Sequence, residues 1–135
     1  MPHWLLKTEP TVYSFDDLLR EKSTDWTGVT NAGAQKNMRA MAKGDAVLIY
    51  HTGDERAAVG TAAVTAGPTA DPEDPAGKRV VVTVRAKRRL ATPVTLAAIK
   101  ADPAFAGWDL VRLPRLSVVP VPAAIWERIE KLASA

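Results

Sequence analysis

From Arg79 to Arg88 the side chains alternate: Val80, Val82, Val84 and Ala86 fall on one side of an extended backbone, and Arg79, Val81, Thr83, Arg85 and Lys87 on the other. Successive residues of a strand point to opposite faces, so this segment buries its valine row only as part of a sheet with a core beneath it. The rest of the chain must then supply neighbouring strands and covering helices. Residues 3–7, HWLLK, form a short apolar run ended by Glu9-Pro10, where proline interrupts a ladder. Asp45–His51 is apolar at nearly every position, as a strand covered on both faces should be. Across the polar turn Thr52–Arg56 it meets a further strand, Ala58–Ala66, and the two are expected to form a hairpin. Leu116–Val121 is a last strand, with Pro120 marking its end or an exposed edge.

Helix signals lie between these runs. Ser14 precedes Phe15–Glu21 and an acid follows three residues on, an N-cap with acidic groups at the positive end of the helix. Ala34–Ala42 carries Met38 and Met41, and Gly44 reads as its C-terminal stop. Thr95–Lys100 is a short helix after Pro93, and Pro122 opens another with Ile125, Ile129 and Leu132 on one face. Gly67–Gly77, GPTADPEDPAG, has no periodicity and reads as a mobile surface loop. About five short strands interrupted by helices, without regular alternation, argue against a doubly wound parallel sheet. The expectation is α+β: a small, strongly curved sheet or barrel of about five to six strands with short helices at its rim.

The 135 residues suit a single domain over 1–135, and 47% hydrophobic with 24% charged residues is enough to bury a core without staples. Cysteine is absent, and the two histidines, His3 and His51, have no spacing partner, so neither a disulfide framework nor a Cys/His metal site is expected. Met1–Lys7 lacks a basic n-region and no apolar stretch reaches the length of a membrane span, so a cytoplasmic protein is the expectation. Phosphate-binding, dinucleotide, nucleophile-elbow and zinc-protease motifs are all missing, and nothing suggests a cofactor. The net charge is +3 and the isoelectric point about 9.4, which permits a nucleic-acid partner without demanding one. Lys78, Arg79, Arg85, Lys87, Arg88 and Arg89 crowd one segment, and Arg112 and Arg115 follow; these form either a solvated strand face or a phosphate-contacting stripe.

The four tryptophans differ in context. Trp126 sits beside Ile125 on the last helix, Trp4 in the first strand suits the core, and Trp108 after Gly107 could be a lid or a plug. Trp26 lies in WTGVTN, beside a turn with hydroxyls and the Asn31 amide nearby. Such a ring is either a core wall or a stacking surface for a base whose edge the amide reads. Tyr50 and His51 could point a polar pair into a cavity, although a satisfied structural histidine is the more usual case.

Five blocks in order, Trp4-Leu-Leu-Lys7-Thr8-Glu9-Pro10, Trp26–Asn31, Asn37–Asp45, Val47–His51 and Arg115-Leu-Ser117-Val, resemble the EVE-domain family over nearly the whole chain. The resemblance implies a PUA-like fold related to YTH domains, and a non-enzymatic reader of a modified base in DNA or RNA, or of a free modified nucleotide. Methylated or hydroxymethylated cytosine and methylated adenine are the implied ligands. Carried onto this chain, it implies a pocket in which Lys7 and Thr8 offer polar groups to the base edge and Trp26 stacks on the flipped ring. Asn31 would bond the Watson–Crick edge, Tyr50 and His51 would line the floor, and Ser117 would add a polar wall. Arg79, Arg85, Lys87, Arg88 and Arg115 would contact the nucleic-acid backbone. Three positions depart from the family pattern: Thr30 and Lys36 where arginine is usual, and Ala32 where tyrosine is common. Two rival readings are a small nucleotide- or RNA-processing enzyme using Lys7, Glu9 and His51, and a protein-interaction subunit with a vestigial pocket.

Overall fold

The computed structural model describes residues 2–134. Strands β1 (His3–Thr8), β2 (Ser23–Trp26), β3 (Ala46–His51), β4 (Ala57–Ala70), β5 (Val80–Thr95) and β6 (Val118–Val121) form one sheet in the order β2-β5-β4-β3-β1-β6. Among the described residues five α-helices accompany it, α1 (Phe15–Glu21), α2 (Ala32–Arg39), α3 (Leu96–Ala101), α4 (Asp109–Arg112) and α5 (Ala123–Ala133), with a 3-10 turn at Pro103–Phe105. Only β1 and β3 run parallel; the other pairings are antiparallel, so the sheet is mixed.

The central strands β1 and β3 are covered on both sides. Trp4, Leu6, Val47 and Ile49 face a core that includes Phe15 and Leu18 of α1 and Met38 of α2. Leu5, Leu48 and Tyr50 face a second core with Ile99, Phe105, Trp108 and Ile129. The valine row of β5 enters the first core, with Val82 and Val84 fully buried and Val80 and Ala86 packed against it. Trp4 satisfies its indole N–H on Asp45 Oδ2 at 2.9 Å, and that buried carboxylate oxygen also accepts the Ala42 N–H. Trp108 is a plug: it is buried and donates from Nε1 to the Pro120 carbonyl.

The ladder is open between β2 and β6, and α2 bridges the gap. Buried Gln35 accepts the Val80 N–H of β5 and donates to the Val80 and Val29 carbonyls, while Asn37 donates to the Val118 carbonyl of β6. A helix thus completes what the backbone ladder leaves unclosed, and the result is the expected α+β pseudo-barrel.

Several boundaries differ from expectation. β4 continues to Ala70, through the segment read as loop from Gly67 onward. Gly67 at φ 97° and a register shift between Ala66 and Thr69 accommodate Pro68, after which Thr69 and Ala70 pair with Val81 and Val80. β5 likewise runs past Arg88 to Thr95, pairing its end with Ala57 and Ala58. α2 starts at Ala32 and ends at Arg39 with Ala40 as its C-cap, so Gly44 is not its stop. Gly44, at φ 96°, instead turns the chain into β3 and donates its N–H to the Val64 carbonyl. The four-residue β2, STDW, has only Trp26 as an apolar marker and is held on one side alone, by β5.

Candidate functional site

The N-terminal half of β1 is mostly apolar, but its end at Lys7 and Thr8, the turn from Glu9 to Tyr13, the segment Thr24–Asn31 and Ser117 line an open cavity of about 610 Å³. Trp26 pairs with Val82, which turns its indole toward the first core, where it is 7% exposed; the same residue also lines the cavity. It is both core wall and cavity wall. Tyr13 meets it edge to face, ring centroids 6.1 Å apart at 86°, the arrangement that ring quadrupoles favour.

Tyr13 is placed by a rigid turn. The Val12 and Tyr13 N–H groups both donate to the Glu9 carbonyl at 2.9 Å, and the Thr8 hydroxyl donates to the Tyr13 carbonyl. The Glu9 carboxylate accepts from the Thr11 N–H and the Thr11 and Thr52 hydroxyls. Tyr13's own hydroxyl donates to Glu21 at 2.6 Å. Burial, reinforced by that bond and the Glu21 charge, pushes the phenol up to about 12. Its ring is therefore what it contributes to the wall.

Asn31 is the N-cap of α2: its Oδ1 accepts the Ala34 N–H at 3.0 Å. The cap occupies Oδ1 and leaves the amide NH₂ of Asn31 without a role in the helix, as a donor beside the cavity. Thr24, Thr27, Thr30 and Ser117 add hydroxyls to the lining. The charged liners are engaged elsewhere. Asp25 accepts the Thr83 hydroxyl at 2.7 Å. The Lys7 ammonium donates to the Pro114 carbonyl at 2.9 Å and lies 5.9 Å from the Tyr50 ring centroid; burial lowers its pKa. Aromatic walls, hydroxyls and one amide suit a flat, neutral, polar ring better than an ion.

Of the residues singled out from sequence, Lys7, Thr8, Trp26, Asn31 and Ser117 come together here, whereas Tyr50 and His51 do not line the cavity. Neighbours on a strand face opposite ways, so the two could not both floor one pocket. Tyr50 lies in the second core, where burial raises its pKa. His51 accepts the Phe15 N–H at Nε2 and bonds Glu55 through Nδ1, which fixes it as a brace for the start of α1. Tyr13 was missed by sequence reasoning because an aromatic just before an N-cap reads as a hydrophobic staple.

The five cations grouped as backbone contacts are dispersed. Arg79 Nε lies 3.9 and 4.0 Å from Asp71 and Asp74, within the acidic loop. Arg85 is exposed on the face opposite Val84, and Lys87 and Arg88 border a groove against Trp126, on the side of the second core. Arg115 is exposed two residues before Ser117, on the turn that joins the cavity. Of the three departures from the family pattern, Thr30 alone is part of the lining. Among the described residues no cluster of His, Asp and Glu could hold a metal ion, and no helix is long and apolar enough to cross a membrane.

A mixed six-stranded sheet completed by a helix, with one aromatic-walled cavity beside the end of β1, defines a PUA-like α+β protein. The chain belongs to the EVE-domain family, whose model matches residues 2–132. It is similar to Rpa0253 from Rhodopseudomonas palustris, at 40% identity and TM-score 0.94, covering 99% of this chain and 94% of that one. A hypothetical protein from Leishmania major is 34% identical with TM-score 0.92, over 99% and 95% of the two chains. Human THYN1 protein, solved in complex with 5-methylcytosine containing DNA, shares the fold at 22% identity and TM-score 0.87, over 100% and 99%. Among curated proteins, no sequence matches the chain.

Proposed function

We propose that this protein is a non-catalytic reader that receives a modified nucleobase of DNA or RNA in the cavity lined by Trp26 and Tyr13. The observation that carries this is the aromatic corner itself, opening on a space of about 610 Å³ whose charged liners are all engaged with protein partners. Family membership and the likeness to THYN1, a protein solved with 5-methylcytosine containing DNA, support the same choice of ligand class. A base would stack on the aromatic wall while the Asn31 amide donates to a ring acceptor on its edge. A methylated or hydroxymethylated cytosine or a methylated adenine meets these requirements. A buried methyl contributes only about 0.8 kcal/mol, so strong selectivity requires the unmodified base to leave a polar group or a water badly placed. Thr30, smaller than the family's usual arginine, leaves more of the mouth open to a substituent. The polar groups an enzyme would need, Lys7, Glu9 and His51, each hold a structural hydrogen bond, which favours binding over turnover.

Calorimetric titration with short oligonucleotides of DNA and RNA, with and without 5-methylcytosine, 5-hydroxymethylcytosine or N6-methyladenine, tests this function. Trp26→Ala is a poor probe, because emptying a buried indole site costs about 3–5 kcal/mol of stability. Trp26→Phe keeps an aromatic wall. The expected outcome is preference for one modified base, weakened about tenfold in Trp26→Phe. Equal binding of all oligonucleotides, unaffected by the substitution, would overturn the proposal.

A further inference from the structure

Val12 is 81% exposed, and Leu113 at 39% is the other exposed large apolar side chain among the described residues. Isolated exposed apolar residues are ordinary, but Val12 also belongs to the cavity lining, so it stands at the mouth. Its turn is unusually well fixed. Two N–H groups converge on the Glu9 carbonyl, the Glu9 carboxylate ties back to Thr11 and to Thr52 at the end of the β3–β4 hairpin, and Tyr13 next to it anchors on Glu21. A rigid turn thus presents a short, branched, apolar tip beside an aromatic cavity of nucleobase size. Leu113 lies on the turn from Leu113 to Ser117, held by the Leu116 N–H to Leu113 carbonyl bond and by Lys7 on Pro114, which carries Ser117 to the cavity and bears the exposed Arg115.

These features answer a physical problem that a base reader meets only on a duplex. Extruding a base leaves a gap in the stack, and an apolar side chain pushed into that gap replaces lost stacking and blocks the base from returning. A base presented by a single strand leaves no such gap. Resting on the base-reading function above, we infer that Val12 is the wedge that occupies the vacated position in double-stranded DNA while the extruded modified base enters the Trp26–Tyr13 cavity. The protein's ligand is then a modified base within a duplex, and Val12 is a determinant of duplex binding rather than of base identity.

Val12→Ser tests this in the full chain, since an 81% exposed side chain can be replaced with little consequence for the fold. Binding is measured to a duplex and to the matching single strand, both carrying the modified base that the wild type prefers, with 2-aminopurine beside the modified position to report local unstacking. The expected result is a lost 2-aminopurine response and duplex binding weakened about tenfold more than single-strand binding. Equal effects on duplex and single strand, no effect on either, or a wild type that binds only the single strand would overturn the wedge while leaving the base-reading function intact. A wild type that binds no modified oligonucleotide would remove both.

Discussion

Trp26 is the residue on which core and cavity meet, and the proposed function gives Asn31 a similar double duty. One atom of the Asn31 amide, Oδ1, caps α2, and the other is the donor that the proposed base would meet. The two roles separate by substitution. Asn31→Asp keeps an oxygen for the Ala34 N–H and places a favourable charge at the helix start, so urea unfolding should change by less than about 0.5 kcal/mol. It removes the NH₂ donor, and binding of the preferred oligonucleotide should fall. Asn31→Ala should lose both, at a cost of about 1 kcal/mol in stability. If Asn31→Asp binds as the wild type does, the amide is a cap and nothing more. At this scale the sequence pointed to Trp26 and Asn31 through their place in WTGVTN. It could not point to Tyr13, because what brings Tyr13 into the cavity wall is its edge-to-face contact with Trp26, thirteen residues on.

Among the elements, α1 shows how a short helix is seated on a sheet. Ser14 and Asp17 form a reciprocal capping box, the motif legible in the sequence. The seat is less obvious. Gly60 lies in the middle of β4, where glycine weakens a strand, and a Cβ there would come within 2.3 to 2.5 Å of the Phe15 ring. Phe15 is fully buried and cannot move aside cheaply. Gly60→Ala should therefore destabilise the protein by about 1–3 kcal/mol in chemical denaturation, and a neutral result would mean that Phe15 has room to shift. Long elements with strong patterns, such as β3 and the valine half of β5, were legible because periodicity and burial agree. β2 was not: a four-residue edge strand takes its conformation from the β5 ladder, not from its own pattern. The extension of β4 beyond Gly67 was hidden for the same reason, since Pro68 reads as a breaker unless a bulge absorbs it.

For the molecule as a whole, charge and protonation set the range of pH over which the fold holds. Asp17, Asp74 and Asp102 are all held below the usual carboxylate range. The leading causes are backbone N–H groups at Ser14, Arg79 and Ala104 respectively, with Arg20 and Arg128 assisting the first and last. A depressed carboxyl stabilises the fold above its unfolded value of 3.8 and loses that contribution as pH falls through the folded value. Tyr13 behaves oppositely at the alkaline end. With a folded value of about 12 against 10.0 unfolded, its contribution is complete below pH 10 and is lost as pH rises toward 12. Spectrophotometric titration should show phenolate appearing near pH 12, and Tyr13→Phe should remove that component; ionisation of Tyr13 near 10 would contradict its burial and its bond to Glu21.

The sequence alone determined the class of architecture. Alternation in β5, the apolar runs of β1 and β3, the α1 capping box and the amphipathic α5 are local patterns, written in residue order and readable without knowing what lies opposite. Only tertiary structure decided how the sheet is completed, through Gln35 and Asn37 of α2 reaching β5 and β6 across 45 and 81 residues of chain. It also decided which candidates share the cavity. Lys7, the Trp26–Asn31 stretch and Ser117 are far apart in sequence yet converge, while Tyr50 and His51, adjacent in sequence, are sent to opposite faces by the pleat of one strand. Spacing along a chain fixes local conformation, but a cavity exists only where separate elements meet.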